Sequence, residues 1–138
     1  MLRISKPLIA LTGTALALAV ACTPASDQPS AEQALCDSLA AFSDSVQAIA
    51  DLDPATDSIE DLQAAGQAAE DAWAQVLTDA AGVEAADTAA LDEAWGGLSQ
   101  QISDFSTDVP VADAVAEVQT TVDGVQAVYG EMRDGLGC

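Results

Sequence analysis

Residues 30–51 read SAEQALCDSLAAFSDSVQAIAD, and the spacing inside this stretch decides the fold. Leu35, Leu39, Phe42, Val46 and Ile49 follow one another at intervals of 4, 3, 4 and 3. A helix returns to the same face every ~3.6 residues, so the alternation lines these side chains along one apolar stripe. Asp37, Asp44 and Asp51, seven residues apart, fall on the opposite, solvated side. Ser30 with Gln33 has the form of a capping box, in which a hydroxyl and an amide satisfy the first free backbone N–H groups of a helix.

The same rhythm continues along the chain. After an interruption at 51–57 that contains Pro54, Asp57 with Glu60 is expected to cap a second helix. Its inward stripe reads Ile59, Leu62, Gly66, Ala69, Trp73 and Val76, and Gly82 is a natural stop. A third helix is expected from Asp87, with Leu91, Trp95, Leu98, Ile102 and Phe105 inside, broken at Pro110. The fourth stripe is Val111, Val115, Val118, Val122, Val125, Tyr129, Met132 and Leu136. Valine favours strands, but a period of about 3.5 rather than 2 makes this segment a helix. Alternating steps of three and four give shallow left-handed packing, and short connections make neighbours antiparallel. The expected fold is therefore all-α: an antiparallel, up-down-up-down four-helix bundle over residues 31–138.

A shift of 56 residues superimposes the first stripe on the third without a gap, and brings Pro54 onto Pro110, Asp57 onto Asp113, Gln63 onto Gln119 and Trp73 onto Tyr129. Few of the paired residues are identical. The pattern fits a duplicated helical hairpin and equally two unrelated hairpins of equal length.

Ahead of the helical region lies a segment of another kind. Arg3 and Lys6 precede an apolar run from Leu8 to Ala21, which ends in Leu18-Ala19-Val20-Ala21-Cys22. At about 14 residues the run is short for a bilayer span of about 20. This segment resembles a bacterial lipoprotein signal peptide with its lipobox, Ala19 standing where leucine is more usual. The resemblance implies that residues 1–21 are removed, that the thiol of Cys22 carries lipid, and that residues 22–30 form a Pro- and Ser-containing tether. Ordinary secretory cleavage or an uncleaved anchor would leave Cys22 without a role. The remainder is similar to small Ala- and Asp-rich lipoproteins of actinobacteria, many of which end in cysteine. That likeness brings no functional residues with it.

Loss of Arg3 and Lys6 with the signal takes the formal charge from −20 to −22, with Arg133 the only base left against 23 acids. Such a surface cannot bind nucleic acid, because phosphate contacts need Lys and Arg. Anionic headgroups repel it too, so the expected hold on the membrane is the lipid alone. High acidity keeps exported domains soluble, and it also suits a cationic partner or a saline habitat.

Lipidation of Cys22 leaves Cys36 and Cys138, an even pair in an oxidising compartment. An up-down-up-down bundle returns its last residues to the end where its first helix began, so Cys36 and Cys138 are expected to form a disulfide. The same topology brings Trp73, Trp95 and Tyr129 within a turn or two of it. They serve either as ordinary core or as the lining of a ligand pocket, with Gly66 and Ala69 leaving room for rings. Gly96, Gly97, Gly124 and Gly130 fall on outer positions, as a smooth strip for an approaching helix or as plain surface glycines.

The chain contains no histidine, and no lysine follows residue 22. This removes Ser-His-Asp and Cys-His nucleophiles, Schiff-base chemistry, histidine-ligated zinc and multi-arginine phosphate clamps. Asp51 and Asp53 resemble the opening of a calcium loop, but Ala55 and the absence of the required glycine break that pattern. No catalytic residue, metal ligand or cofactor is assigned. The expected protein is a lipid-anchored, extracytoplasmic helical interaction or structural module with an envelope protein as partner. The alternative is a binding protein for a small or cationic ligand. A pocket between the helices would favour the alternative, and a closed core with a distinct outer patch would favour the interaction module.

Overall fold

A computed structural model describes residues 30–138. The signal, Cys22 and the tether up to residue 29 lie outside the described residues. Four helices account for the described chain: α1 (Ala31–Ala50), α2 (Ile59–Ala80), α3 (Ala89–Asp104) and α4 (Val111–Leu136). They pack against one another as a four-helix bundle, and no strand occurs among the described residues.

The sequence stripes become the core. Every stripe residue of α1 and of α2 is buried, as are Leu91, Trp95, Leu98 and Ile102 of α3 and Val115, Val118, Val122 and Val125 of α4. Val111 at the start of α4 is only half-buried, as are Tyr129, Met132 and Leu136 near its other end, where a helix of 26 residues outruns the 16 of its antiparallel neighbour α3. The 56-residue correspondence extends to burial: each buried stripe position of α1 and α2 falls on a buried or half-buried residue of α3 or α4, or, for Ile49, on half-buried Phe105 just beyond α3.

Side-chain contacts fix the directions. Cys36 near the start of α1 is bonded to Cys138 beyond the end of α4, while Ser43 farther along α1 meets Gln126 farther back on α4. Trp73 of α2 reaches Asp92 of α3, and Gln63, earlier in α2, reaches the Phe105 carbonyl at the end of α3. Phe42 packs on Trp73, whereas Gly82 lies against Ala31. As one helix of each pair ascends the other descends, giving the expected antiparallel arrangement. Helix α1 packs on α2 and α4, and α3 packs on α4; the α2–α3 seam is thinner.

The helix ends show where local chemistry departs from the sequence reading. Ser30 is the N-cap of α1, its hydroxyl accepting from the Gln33 N–H at 3.1 Å. The second helix is capped by Ser58 with Asp61 rather than by Asp57 with Glu60. Asp57 is occupied in the preceding loop, where its carboxylate accepts from the Asp53 N–H at 2.7 Å. Asp87 still lies at the start of the third helix, accepting from the Ala89 N–H, but Thr88 is the N-cap residue and the helix begins at Ala89. Phe105 is extended rather than helical and only half-buried. Gly82 follows α2 without a left-handed conformation, whereas Gly137 closes α4 at φ 75°, where a side chain would be strained.

The cap of α2 yields a first prediction. The Ser58 hydroxyl and its backbone N–H both donate to Asp61, holding that carboxyl below its ordinary pKa. A carboxyl lowered in the fold stabilises above its unfolded pKa and loses that contribution as pH falls through the folded value. Ser58→Ala is expected to cost about 1 kcal/mol at neutral pH in urea unfolding. The gap from the parent protein should begin to narrow below about pH 4, the unfolded value of an aspartate, and go on narrowing as pH falls through the lowered value in the fold. A gap that stays constant into acid would remove Asp61 from the cap's energetics.

Candidate functional site

Two short segments on facing helices have nearly the same sequence. Residues 70–73 of α2 read Glu-Asp-Ala-Trp, and residues 92–95 of α3 read Asp-Glu-Ala-Trp. In a helix, residues three apart share a face, so each segment sets a carboxylate one turn before an indole. Because α2 and α3 run antiparallel, the segments meet reciprocally. The Trp73 indole N–H donates to Asp92 Oδ1 at 3.0 Å, and the Trp95 indole N–H donates to Glu70 Oε2 at 2.9 Å. The Ser99 hydroxyl adds a longer bond to Glu70 at 3.4 Å.

Packing explains why both indoles need these acceptors. Trp73 and Trp95 are 4% and 2% exposed, their rings lying against Phe42 at centroid distances of 5.2 and 5.4 Å, the second edge-on. A buried indole N–H without an acceptor is costly, and only the edge facing the seam can be given one. The exposed carboxylates at that edge supply charge-assisted bonds. Core and surface are thereby joined: Phe42 at the centre, an indole on either side, and a carboxylate outside each.

Around these two rungs the seam is open. A groove of ≈ 470 Å³ is lined by Gln63, Gly66, Gln67, Glu70, Ser99, Ile102 and Ser103. It continues past Trp73, Leu77, Asp92, Trp95 and Gly96. Ile102 forms part of its floor and packs on the bare backbone of Gly66, where an added Cβ would come within 3.1 Å of Ile102 Cγ2. Leu77 is the one large hydrophobic residue exposed among the described residues, at 42%. Gly96 has open space where a Cβ would stand. Among the described residues the only cation is Arg133, in the last turn of α4, so the two carboxylates have no basic side chain beside them on α2 or α3. The arrangement can accept hydrogen bonds and hold positive charge.

Cys36 and Cys138 are joined, with Cα atoms 5.8 Å apart, on the α1–α4 side. Trp73 and Trp95 come together at the level of Phe42, about 9 Å along α1 from Cys36. The third ring of that layer is Phe42 rather than Tyr129, which is half-buried against the core. The space beside Gly66 holds Ile102 and not an aromatic ring. Gly97, Gly124 and Gly130 also face open space. Asp53 of the failed calcium pattern accepts from the Ala55 N–H at 2.8 Å. Among the described residues no group of three or more His, Cys, Asp or Glu is placed to hold a metal.

Glu70 and Asp92 were not candidates on sequence grounds, because a stripe analysis sorts residues into inside and outside and they sit on the boundary. The repeated acid-acid-Ala-Trp segment was the available signal. No family model matches the chain, and neither a curated protein nor a solved structure matches it.

Proposed function

We propose that the chain is a lipid-anchored, extracytoplasmic helical module that binds a protein of the cell envelope through the α2–α3 side of its bundle and performs no catalysis. The observation that carries this reading is the contrast between a filled core and an open seam. The stripes close on one another and every described buried side-chain polar atom has a partner. Although shallow grooves also occur along α3–α4 and beside the start of α1, among the described residues only the α2–α3 groove has the exposed Leu77 and the indole-bonded carboxylates. Anchoring is supported by the sequence Leu18-Ala19-Val20-Ala21-Cys22. No described helix is long and apolar enough to cross a membrane.

The test of the anchor is chemical. Protein extracted from membranes should begin at Cys22 by intact mass and carry a diacylglycerol on that residue. Cys22→Ser should leave the uncleaved precursor or release the chain from the membrane fraction. A serine variant that is processed and retained like the parent would remove the anchor from this reading.

A second reading, a binding protein for a small or cationic ligand, is favoured by the groove's volume, which lies within the range of small-molecule sites. Against it stands the shape: an open trough rather than an enclosed pocket buries little of a small ligand.

A further inference from the structure

Resting on the interaction-module reading, we propose that the α2–α3 groove is the docking site for a basic amphipathic helix of the partner, with Glu70 and Asp92 receiving two Lys or Arg side chains one turn apart.

Three features of the seam select this occupant. The first is charge. Each carboxylate uses one oxygen on an indole N–H, Oε2 in Glu70 and Oδ1 in Asp92, so Glu70 Oε1 and Asp92 Oδ2 remain to accept from a cation. Nothing basic on this chain stands near, and the −22 charge of the processed chain opposes a second copy of itself in the groove. The second is spacing. The two rungs are one helical turn, about 5 Å, apart along the bundle axis. Side chains at i and i+3 or i+4 on a docking helix advance along their axis by the same rise, and long Lys or Arg stems can reach the α2 wall for Glu70 and the α3 wall for Asp92. The third is shape. Gly96 leaves the α3 wall bare beside the rungs, so a helix can approach the backbone closely, and Leu77 offers it an apolar contact at one end. A small cation could meet the carboxylates but would leave Leu77 and the Gly96 wall uncovered.

The protein contains its own reporter. Its two tryptophans, Trp73 and Trp95, both place their indole N–H at the groove, so their emission responds to occupancy there. The experiment titrates the full chain in neutral detergent micelles with a synthetic Ala/Leu/Lys helix bearing two lysines one turn apart beside a leucine row. Parallel titrations use the same peptide with glutamine for lysine, and spermidine. The lysine peptide is expected to change tryptophan emission saturably, more weakly at about 0.3 M than at about 0.05 M NaCl. The glutamine peptide and spermidine should not saturate over the same concentrations. Glu70→Gln with Asp92→Asn keeps an oxygen for each indole while removing both charges, and should weaken binding about tenfold while the helical signal and a cooperative melting transition are retained. Asp44→Asn with Asp123→Asn, the same change of charge on α1 and α4, should alter it less than about twofold.

Equal weakening by the two double variants would show a diffuse field and overturn the site. Spermidine binding with the same dependence on Glu70 and Asp92 would overturn the helix in favour of a small ligand, and with it the interaction-module reading. Absence of any saturable response overturns the docking site. None of these outcomes depends on lipid at Cys22, so failure of the anchor and failure of the groove are separately visible.

Discussion

Loss of the Cys36–Cys138 bond is expected to lower the stability of the bundle by about 4.7 kcal/mol, the chain-entropy value for a closed loop of about 100 residues. The bonded residues are 102 apart in sequence, so the bond encloses nearly all of the described chain and restricts the unfolded state strongly. For a domain of this size the loss corresponds to a fall in melting temperature of about 20 °C. Helicity at room temperature should survive, because the stripes of all four helices pack without the sulfur atoms. The double variant Cys36→Ser/Cys138→Ser, followed by circular dichroism against temperature, checks both statements and avoids thiol exchange. A fall of only a few degrees would mean that the unfolded chain already keeps these ends close. A loss of helical signal at room temperature would mean that the core cannot hold the bundle alone.

Replacing Phe42 by alanine should cost about 3–5 kcal/mol, the range for a large aromatic side chain removed from a filled core. Phe42 is fully buried and touches both indoles, so its loss opens a cavity that two rigid rings cannot easily fill. The midpoint of urea unfolding measures the cost. The tryptophan spectrum provides a second measure: both indoles lose their ring neighbour, and emission from the folded protein should shift to the red. Leu77→Ala, at an exposed position, serves as the comparison and should stay within about 0.5 kcal/mol of the parent. A Phe42→Ala cost below about 1 kcal/mol would show that the layer repacks, and that the rungs outside it are not held in place by the core.

The fold was legible because burial follows period. Leu35, Leu62, Leu91 and Val118 are inside for the same reason, the return of one helical face, and reading that face requires no partner. Helix ends were less legible because neighbouring polar residues compete for the same backbone groups. Asp57 and Ser58 are both good caps, and which one serves depended on whether the loop had a use for Asp57; the Asp53 N–H provided it. The ends of α3 and α4 depended on relative helix length, which leaves Phe105 outside the third helix and Met132 and Leu136 only half-covered. The disulfide was legible from topology, since only the antiparallel order brings Cys36 and Cys138 together. The groove was not. Its rungs pair residues 19 and 25 apart on different helices, a relation that appears only when the α2–α3 register is known.

The thin seam also sets how the molecule moves. The bundle is stapled covalently on its α1–α4 side, while α2 and α3, the pair across from the staple, are held by less packing and by hydrogen bonds at their outer edge. Local opening follows the least-packed boundary, so the low-energy excursion of this fold is a parting of α2 from α3 rather than a fraying of the whole bundle. Amides flanking the two indoles would then exchange with solvent sooner than those beneath the staple, and the width of the trough becomes a fluctuating quantity. A partner seated there would narrow that fluctuation as well as cover surface, so part of its binding free energy would be spent in quieting one side of the molecule.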